Sequence, residues 1–227
     1  MQPTYLPWCG YFGLMQSVDL FIYLDSVQFA RRSWQQRNQI KTASGAQWLT
    51  VPVISKGKRD QRIDEVEIDA SAHFEATHRR AIELNYRHAA AYGEVADRIL
   101  AGLERPQGRL VDLTLDLIAR LRDLMGIATP TRRTSEMQGA GAKADLLVSL
   151  CREVGATEYV SPPGSQGYIE ETDAFSRANI SVRYFKFEHP VYPQVFGDFL
   201  PFMSCIDMLL NCGDRSRQLI ESGCEVD

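Results

Sequence analysis

Five consecutive apolar residues, Leu20-Phe21-Ile22-Tyr23-Leu24, run directly into Asp25. No polar residue alternates through the run, so a strand here is buried on both faces. That is the condition of a parallel sheet covered by helices, and it restricts the chain to α/β architectures. It also sets a carboxylate at the carboxyl end of a buried strand, the edge where open α/β sheets bind ligands. The preceding residues agree. Tyr11 to Val18 predicts two turns of helix with Phe12, Met15 and Val18 near one face. Met1–Thr4 reads as the tail of a first strand, which makes a small βαβ unit.

Thr4 to Gly10 cannot be a regular element. Pro3 and Pro7 each remove a backbone donor and bias the residue before them toward an extended conformation. Gly10 permits a close backbone approach. The loop carries Gln2, Tyr5 and Trp8, with Tyr11 just beyond, an aromatic and amide set suited to a sugar or nucleotide. Further on, Arg37–Thr42 and Gln47–Ile54 predict a β-hairpin around Ser44-Gly45. Alternation puts Arg37, Gln39 and Lys41 on one face, so Arg37 and Lys41 can address one anionic group. Gln28, Trp34 and Asn38 lie close by in sequence and strengthen that reading. Arg62–Ile68 reads as a further short strand.

From Ser71 to Ile127 the periodicity is helical. Ser71 is read as an N-cap before Phe74, His78 and Ile82. A second helix covers about Ala91–Leu103 and stops at Arg105-Pro106-Gln107-Gly108. A third carries a stripe of Leu110, Leu113, Leu117, Leu121 and Leu124, which suits a homodimer as well as a core. Alternation then resumes: a helix over Lys143–Val154, a strand at Thr157–Val160, a loop over Ser161–Gly167, a helix at Glu171–Ala178 and a strand over Ile180–Phe187. The expected fold is α/β, a small mostly parallel sheet built from both ends of the chain with a helical insertion in the middle. The expected parts are 1–70, 71–127 and 128–227, the first and last completing one domain.

His189 follows the last strand and precedes Pro190, and imidazole titrates near neutrality, so it is a candidate general base. Asp25 is its candidate partner, since a carboxylate at the mouth of an apolar strand must be paired or solvated. Cys9 is a weaker candidate nucleophile, lacking a neighbouring base in sequence. Ser204 and Asp207 fit a capping-box arrangement better than a catalytic one. His73, His78 and His88 read as packing residues on helix faces.

A net charge of −4 argues against a general nucleic-acid binder. No apolar run reaches the length of a membrane span, and no signal peptide is read at Met1. Five cysteines, an odd number without metal-ligand spacing, imply reduced thiols, no metal and a cytoplasmic setting. Pro162-Pro163-Gly164-Ser165-Gln166-Gly167 matches neither phosphate-loop nor dinucleotide fingerprint, so no cofactor is identified.

The chain resembles the WbqC-like protein family. The resemblance rests on Gln2-Pro3-Thr4-Tyr5-Leu6-Pro7-Trp8-x-Gly10-Tyr11-Phe12, on Asp25-x-Val27-Gln28-Phe29, and on Trp34-x-x-Arg37-Asn38-x-Ile40-Lys41. At the far end it rests on His189-Pro190-x-Tyr192-x-Gln194 and Ser204-x-x-Asp207-x-Leu209. It implies a place among proteins that make or decorate the sugars of O-antigen-type polysaccharides, and it adds Tyr192 and Gln194 to the expected substrate-binding residues. The leading expectation is a transferase moving an acyl or aminoacyl group onto the amine of a nucleotide-linked amino sugar. His189 and Asp25 would be its base, and Gln2, Gln28 or Asn38 its oxyanion donors. The alternatives are ATP-dependent nucleotidyl transfer and a non-catalytic sugar-binding protein.

Overall fold

The computed structural model describes residues 1–104 and 108–227. In chain order the elements are α1 (Cys9–Gln16), β1 (Phe21–Tyr23), β2 (Arg37–Thr42), β3 (Gly45–Thr50), α2 (Phe74–Tyr86), α3 (Tyr92–Leu100), α4 (Leu110–Leu124) and β4 (Thr131–Arg133). There follow α5 (Lys143–Glu153), β5 (Glu158–Ser161), α6 (Gln166–Glu170), α7 (Ala174–Arg177), β6 (Ser181–Phe187), α8 (Cys205–Cys212), α9 (Ser216–Ser222) and β7 (Cys224–Val226). The expected stop at Arg105–Gly108 lies, but for its last residue, outside the described residues.

The mixed α/β class holds. The apolar run forms β1 and pairs in parallel with β4, Phe21 opposite Thr131 and Tyr23 opposite Arg133. β5 and β6 are also parallel, and β7 closes that sheet antiparallel to β6. Parallel strands thus come from both ends of the chain, with helices α2–α4 between. The hairpin β2–β3 forms its own two-stranded sheet.

Two cores form. The larger takes in Tyr11 and Phe12 of α1, Ile40 and Leu49 of the hairpin, the buried faces of α2–α4, and Ile206 and Leu209 of α8. Leu110, Leu113, Leu117 and Leu121 are all buried inside the chain by this packing. The smaller core joins Leu147 and Val148 of α5 to Phe175 and Ile180. Among the described residues no helix is long and apolar enough to cross a membrane.

Four local expectations are corrected. Met1–Thr4 forms no strand; only Met1 bonds to β1, its amine to the Ile22 carbonyl and its carbonyl from the Leu24 N–H, each at 2.8 Å. Arg62–Ile68 is not a strand either. The Arg62 guanidinium binds Asp64 and its backbone N–H donates to Glu65, which winds Ile63–Glu65 into a short 3-10 turn. Ser71 does not cap α2. Its N–H and hydroxyl both donate to Asp69, and His73, at φ +46°, stands before the helix instead. Ser161–Gly167 is only partly loop, because Pro163–Ser165 is a 3-10 turn leading into α6.

Candidate functional site

The Pro-containing loop is held from two sides. Asn38, buried on β2, donates through Nδ2 to the Leu6 carbonyl at 2.7 Å and accepts the Gln39 N–H through Oδ1. The Pro7 carbonyl accepts the Cys205 N–H at 2.7 Å, and Trp8 bridges to Ser204 at the start of α8. Tyr5 is fully buried, its hydroxyl 2.8 Å from Nδ1 of His78. Burial drops the His78 imidazole to about 4, so this pair is neutral at physiological pH. The indole of Trp8 lies across Gly10; a Cβ there would stand 2.3 Å from the ring. These ties aim the end of the loop, Trp8 and Cys9, at the segment after β6.

That segment carries His189 as its second residue. Its Nδ1 lies 3.0 Å from the Pro190 carbonyl, which fixes the proton on Nδ1 and leaves the Nε2 lone pair free. Nε2 is buried and, among the described residues, has no hydrogen-bond partner within normal geometry. The ring is enclosed by Phe187, Tyr192, Phe199 and Phe202, with centroids 5.5–6.1 Å away. Trp8 packs edge-on to Phe187 and tilted against Phe202. Phe202 is 56% exposed, so the enclosure opens to solvent at that ring. Burial pulls the imidazole down, but the Cys9 thiol, the Pro190 carbonyl and the Asp207 carboxylate outweigh it, and His189 sits above the ordinary histidine value. The position also depends on Gly223, which accepts the Glu188 N–H; a Cβ at Gly223 would stand 2.2 Å from the Glu188 carbonyl oxygen.

Cys9 lies beside this imidazole at the first residue of α1. Interaction with Cys205 and burial push its thiol well above the usual value, and His189 only partly reverses this. A thiol so held is not a thiolate at neutral pH, the reverse of an activated cysteine.

Behind His189 lies a polar network that the motif spacing does not disclose. Asp207, fully buried in α8, accepts Tyr86 at 2.6 Å, Tyr192 at 2.8 Å and Gln194 at 2.8 Å. Burial raises its carboxyl above the usual range, and those three donors only moderate the rise. Ser204 does cap the helix backbone, but the Asp207 side chain points into this network, so the capping-box expectation is half right. Tyr86 also accepts the Lys41 N–H at 2.8 Å. Gln194 clasps Leu200 in both directions, at 3.0 Å and 2.8 Å. The network therefore pins residues 192–200 to α8. Tyr86 and Asp207 escaped the expected substrate-contacting set. One signal was present: a single acid inside the otherwise apolar run Cys205–Leu210.

Asp25 is placed elsewhere. Its carboxylate accepts Arg133 Nε at 2.7 Å, Thr134 Oγ1 at 3.0 Å, and the Ser135 N–H and hydroxyl at 2.9 and 2.7 Å. Burial would raise its pKa, but these donors win and hold it below the usual value. Four bonds occupy its acceptor capacity, and none of them runs to His189.

The remaining expected residues scatter. Gln2 accepts Gln35 at 2.9 Å, and Gln28 is exposed against Arg59 and Asp60. Arg37 lies 4.2 Å over the Trp48 ring, and Trp48 packs on Trp34 at 5.3 Å; both tryptophans are more than 40% exposed. Lys41 is buried, with its ammonium turned to the Asp198 carbonyl. Four strand residues span about 13 Å, and the two cations have different neighbours, so Arg37 and Lys41 do not converge on one anion. The structure gathers Trp8, His189, Tyr192 and Gln194, with Lys41 behind, and leaves Gln2, Asp25, Gln28, Trp34 and Arg37 apart from them.

The model of the WbqC-like protein family matches residues 2–219 of this chain. An uncharacterized protein of Mycobacterium tuberculosis (Rv1507c) is 39% identical over 215 residues, 94% of this chain and 92% of that protein. No solved structure matches. The chain belongs to the WbqC-like protein family.

Proposed function

We propose that this WbqC-like protein is a cytoplasmic transferase of polysaccharide sugar biosynthesis, placing an acyl or aminoacyl group on the amine of a nucleotide-linked amino sugar. One observation carries the reading: His189 has its Nδ1 proton directed at the Pro190 carbonyl and a buried Nε2 that, among the described residues, has no hydrogen-bond partner of normal geometry, with the protonated Cys9 thiol beside the ring. A buried acceptor left open is costly unless something supplies a proton to it, and a substrate amine would. In this reading Nε2 takes the amine proton while the amine nitrogen bonds to the acyl carbon. The bond from that carbon to the donor's leaving group then breaks. The aromatic rims of Trp8 and Phe202 would stack on the sugar or base. Cys9 is assigned no covalent role, since its thiol is held protonated. Asp25 fixes the β1–β4 strand ends away from this site and is assigned no part in the reaction, so the base is His189 alone.

The test incubates the protein with nucleotide-linked amino sugars and acyl-thioester or aminoacyl donors and follows product mass. Losing a general base costs roughly 10²–10⁴-fold in rate, so His189→Gln should lose at least a hundredfold of kcat. The neutral imidazole is the active form. Wild-type kcat/KM should therefore fall as pH drops below a midpoint above the ordinary histidine value. Full activity in His189→Gln would end the proposal.

A second reading, ATP-dependent nucleotidyl transfer, is favoured by a different feature. Met1, Leu24 and Pro162 line one crevice, so the Gln2-Pro3 loop and the Ser161–Ser165 turn both start beside the carboxyl ends of strands. That edge is where α/β sheets hold nucleotides. Turnover of ATP without an acyl donor would favour it over the first.

A further inference from the structure

The hairpin β2–β3 leaves an aromatic pair in solvent. Trp48 stands opposite Gln39, and Arg37 lies two residues from Gln39 on the same face. Arg37 and Trp48 are thus diagonal neighbours across the pair, with the guanidinium 4.2 Å over the indole. Trp34, from the turn before β2, packs on Trp48 with the rings tilted at 41°. Both tryptophans stay exposed, and the turn that carries Trp34 is tied down. Gln35 accepts the Ala30 N–H at 2.9 Å, Gln36 accepts the Arg32 N–H at 3.0 Å, and the Trp34 carbonyl accepts the Tyr5 N–H at 3.0 Å. The pair is in place before any ligand arrives, which lowers the ordering cost of binding there.

Arg37 adds a second, independent sign of a ligand. Its Nε is buried without a hydrogen-bond partner, and among the described residues no carboxylate pairs with the guanidinium. A cation so held is costly unless a ligand supplies acceptors. The charge around it has the same sign. Arg31, just ahead of Trp34, donates to the Ser55 carbonyl, which brings the loop 55–62 alongside. In these two segments Lys58 pairs with Glu67 and Arg62 with Asp64. Arg31, Arg32, Lys56 and Arg59 make no ion pair among the described residues. A chain of net charge −4 thus gathers uncompensated positive charge beside its exposed indoles.

We infer that this hairpin face is a binding site for a nucleoside phosphate, separate from the His189 enclosure. The base stacks on the open face of Trp34, since Arg37 already covers one face of Trp48. A guanidinium against an indole widens a flat π-surface, which suits a planar base better than a puckered sugar ring. The phosphate meets Arg37, whose planar fork matches phosphate oxygens. The loop cations attract it from farther off, screened by salt. A free nucleotide and the nucleotide half of a sugar nucleotide share this chemistry. The inference stands independently of His189.

The experiment follows the indole N–H signals of Trp8, Trp34 and Trp48 by NMR while the full chain is titrated with UMP, uridine, inorganic phosphate, glucuronic acid and UDP-glucose. UMP should shift Trp34 and Trp48 and leave Trp8, in the His189 enclosure, unmoved. Uridine and phosphate alone should each bind at least about tenfold more weakly than UMP, and raised salt should weaken UMP. Trp34→Ala and Arg37→Met should each lose about tenfold in UMP affinity, with an unchanged Trp8 signal reporting that the variants fold. UDP-glucose distinguishes the two sources. A shift of the pair by UMP and UDP-glucose alike supports the site, and a shift by UDP-glucose alone overturns it. Shifts confined to Trp8, none at millimolar UMP, or an equal response to glucuronic acid would also overturn it.

Discussion

Asp25 and Asp207 are both carboxylates without solvent exposure, and their pKa values move in opposite directions. At the β1–β4 strand ends, Asp25 meets a cation, a backbone N–H and two hydroxyls, and it is held ionised. Inside α8, Asp207 meets two tyrosine hydroxyls and an amide, and the Lys41 charge acts on it more weakly than these. Burial is common to both and does not distinguish them. The chemistry of the donors does: a guanidinium compensates a buried negative charge, whereas neutral donors offset it only in part. Asp25 thus serves as a strand clasp, and Asp207 as the hub that orders the segment following His189.

The largest contrast should come from removing the clasp. Asp25→Ala leaves Arg133 and the Ser135 N–H without their acceptor and should destabilise by about 3 kcal/mol, toward the low end for a broken buried pair because Arg133 is partly solvated. Urea unfolding measures it, and a loss below about 1 kcal/mol would contradict the clasp. Tyr86→Phe, on the other side of the comparison, leaves Asp207 short of a donor and the Lys41 N–H short of an acceptor. It should cost about 2 kcal/mol. Asp207→Asn removes a poorly compensated charge while keeping an acceptor, so at pH 7 it should shift stability by less than about 1 kcal/mol.

The pH dependence sharpens the same contrast. The Asp25 pKa is lower folded than unfolded, so its stabilisation is present above the unfolded value and is lost as pH falls through the folded one. The Asp207 pKa is raised, so its contribution is full below the unfolded value and is lost as pH rises through the folded one. The Tm deficit of Asp25→Asn against wild type should therefore be largest at neutral pH and shrink on acidification. The Tm difference for Asp207→Asn should move toward stabilisation of the variant as pH rises. His78, neutral in the fold and titrating in both chains, cancels from these differences. The smallest effect is expected at the exposed Trp34–Trp48 pair, away from His189. Trp34→Ala should change stability by no more than about 0.5 kcal/mol and leave the proposed transferase activity near wild type. A large loss of substrate affinity there would extend the site to the hairpin.

Much of the fold was readable from local pattern. The apolar run Leu20–Leu24 announced a parallel strand, and the alternation over Arg37–Thr42 announced a hairpin. The leucine spacing gave α4 its bounds, Leu110–Leu124. Each of these depends on a period that a short window contains. His189 was readable as a candidate base for the same reason, since it follows a strand and precedes a proline. Asp25 was readable as paired, but its partner was not, because Arg133, Thr134 and Ser135 lie 108 to 110 residues away. Lys41 broke the alternation of β2 and became buried because Tyr86 and Asp198 capture its two ends.

Sequence alone determined the long periodic helices, the hairpin and the apolar strand β1, and which faces of them are apolar, because local sterics and the burial of periodic side chains act over a few residues. Only the tertiary structure decided which acid is a clasp and which a hub, that Asp25 and His189 stand apart, and that Tyr86 and Asp207 brace the loop of the candidate base. The charge state of a buried group is set by donors that reach it from distant parts of the chain, such as the 121 residues between Tyr86 and Asp207.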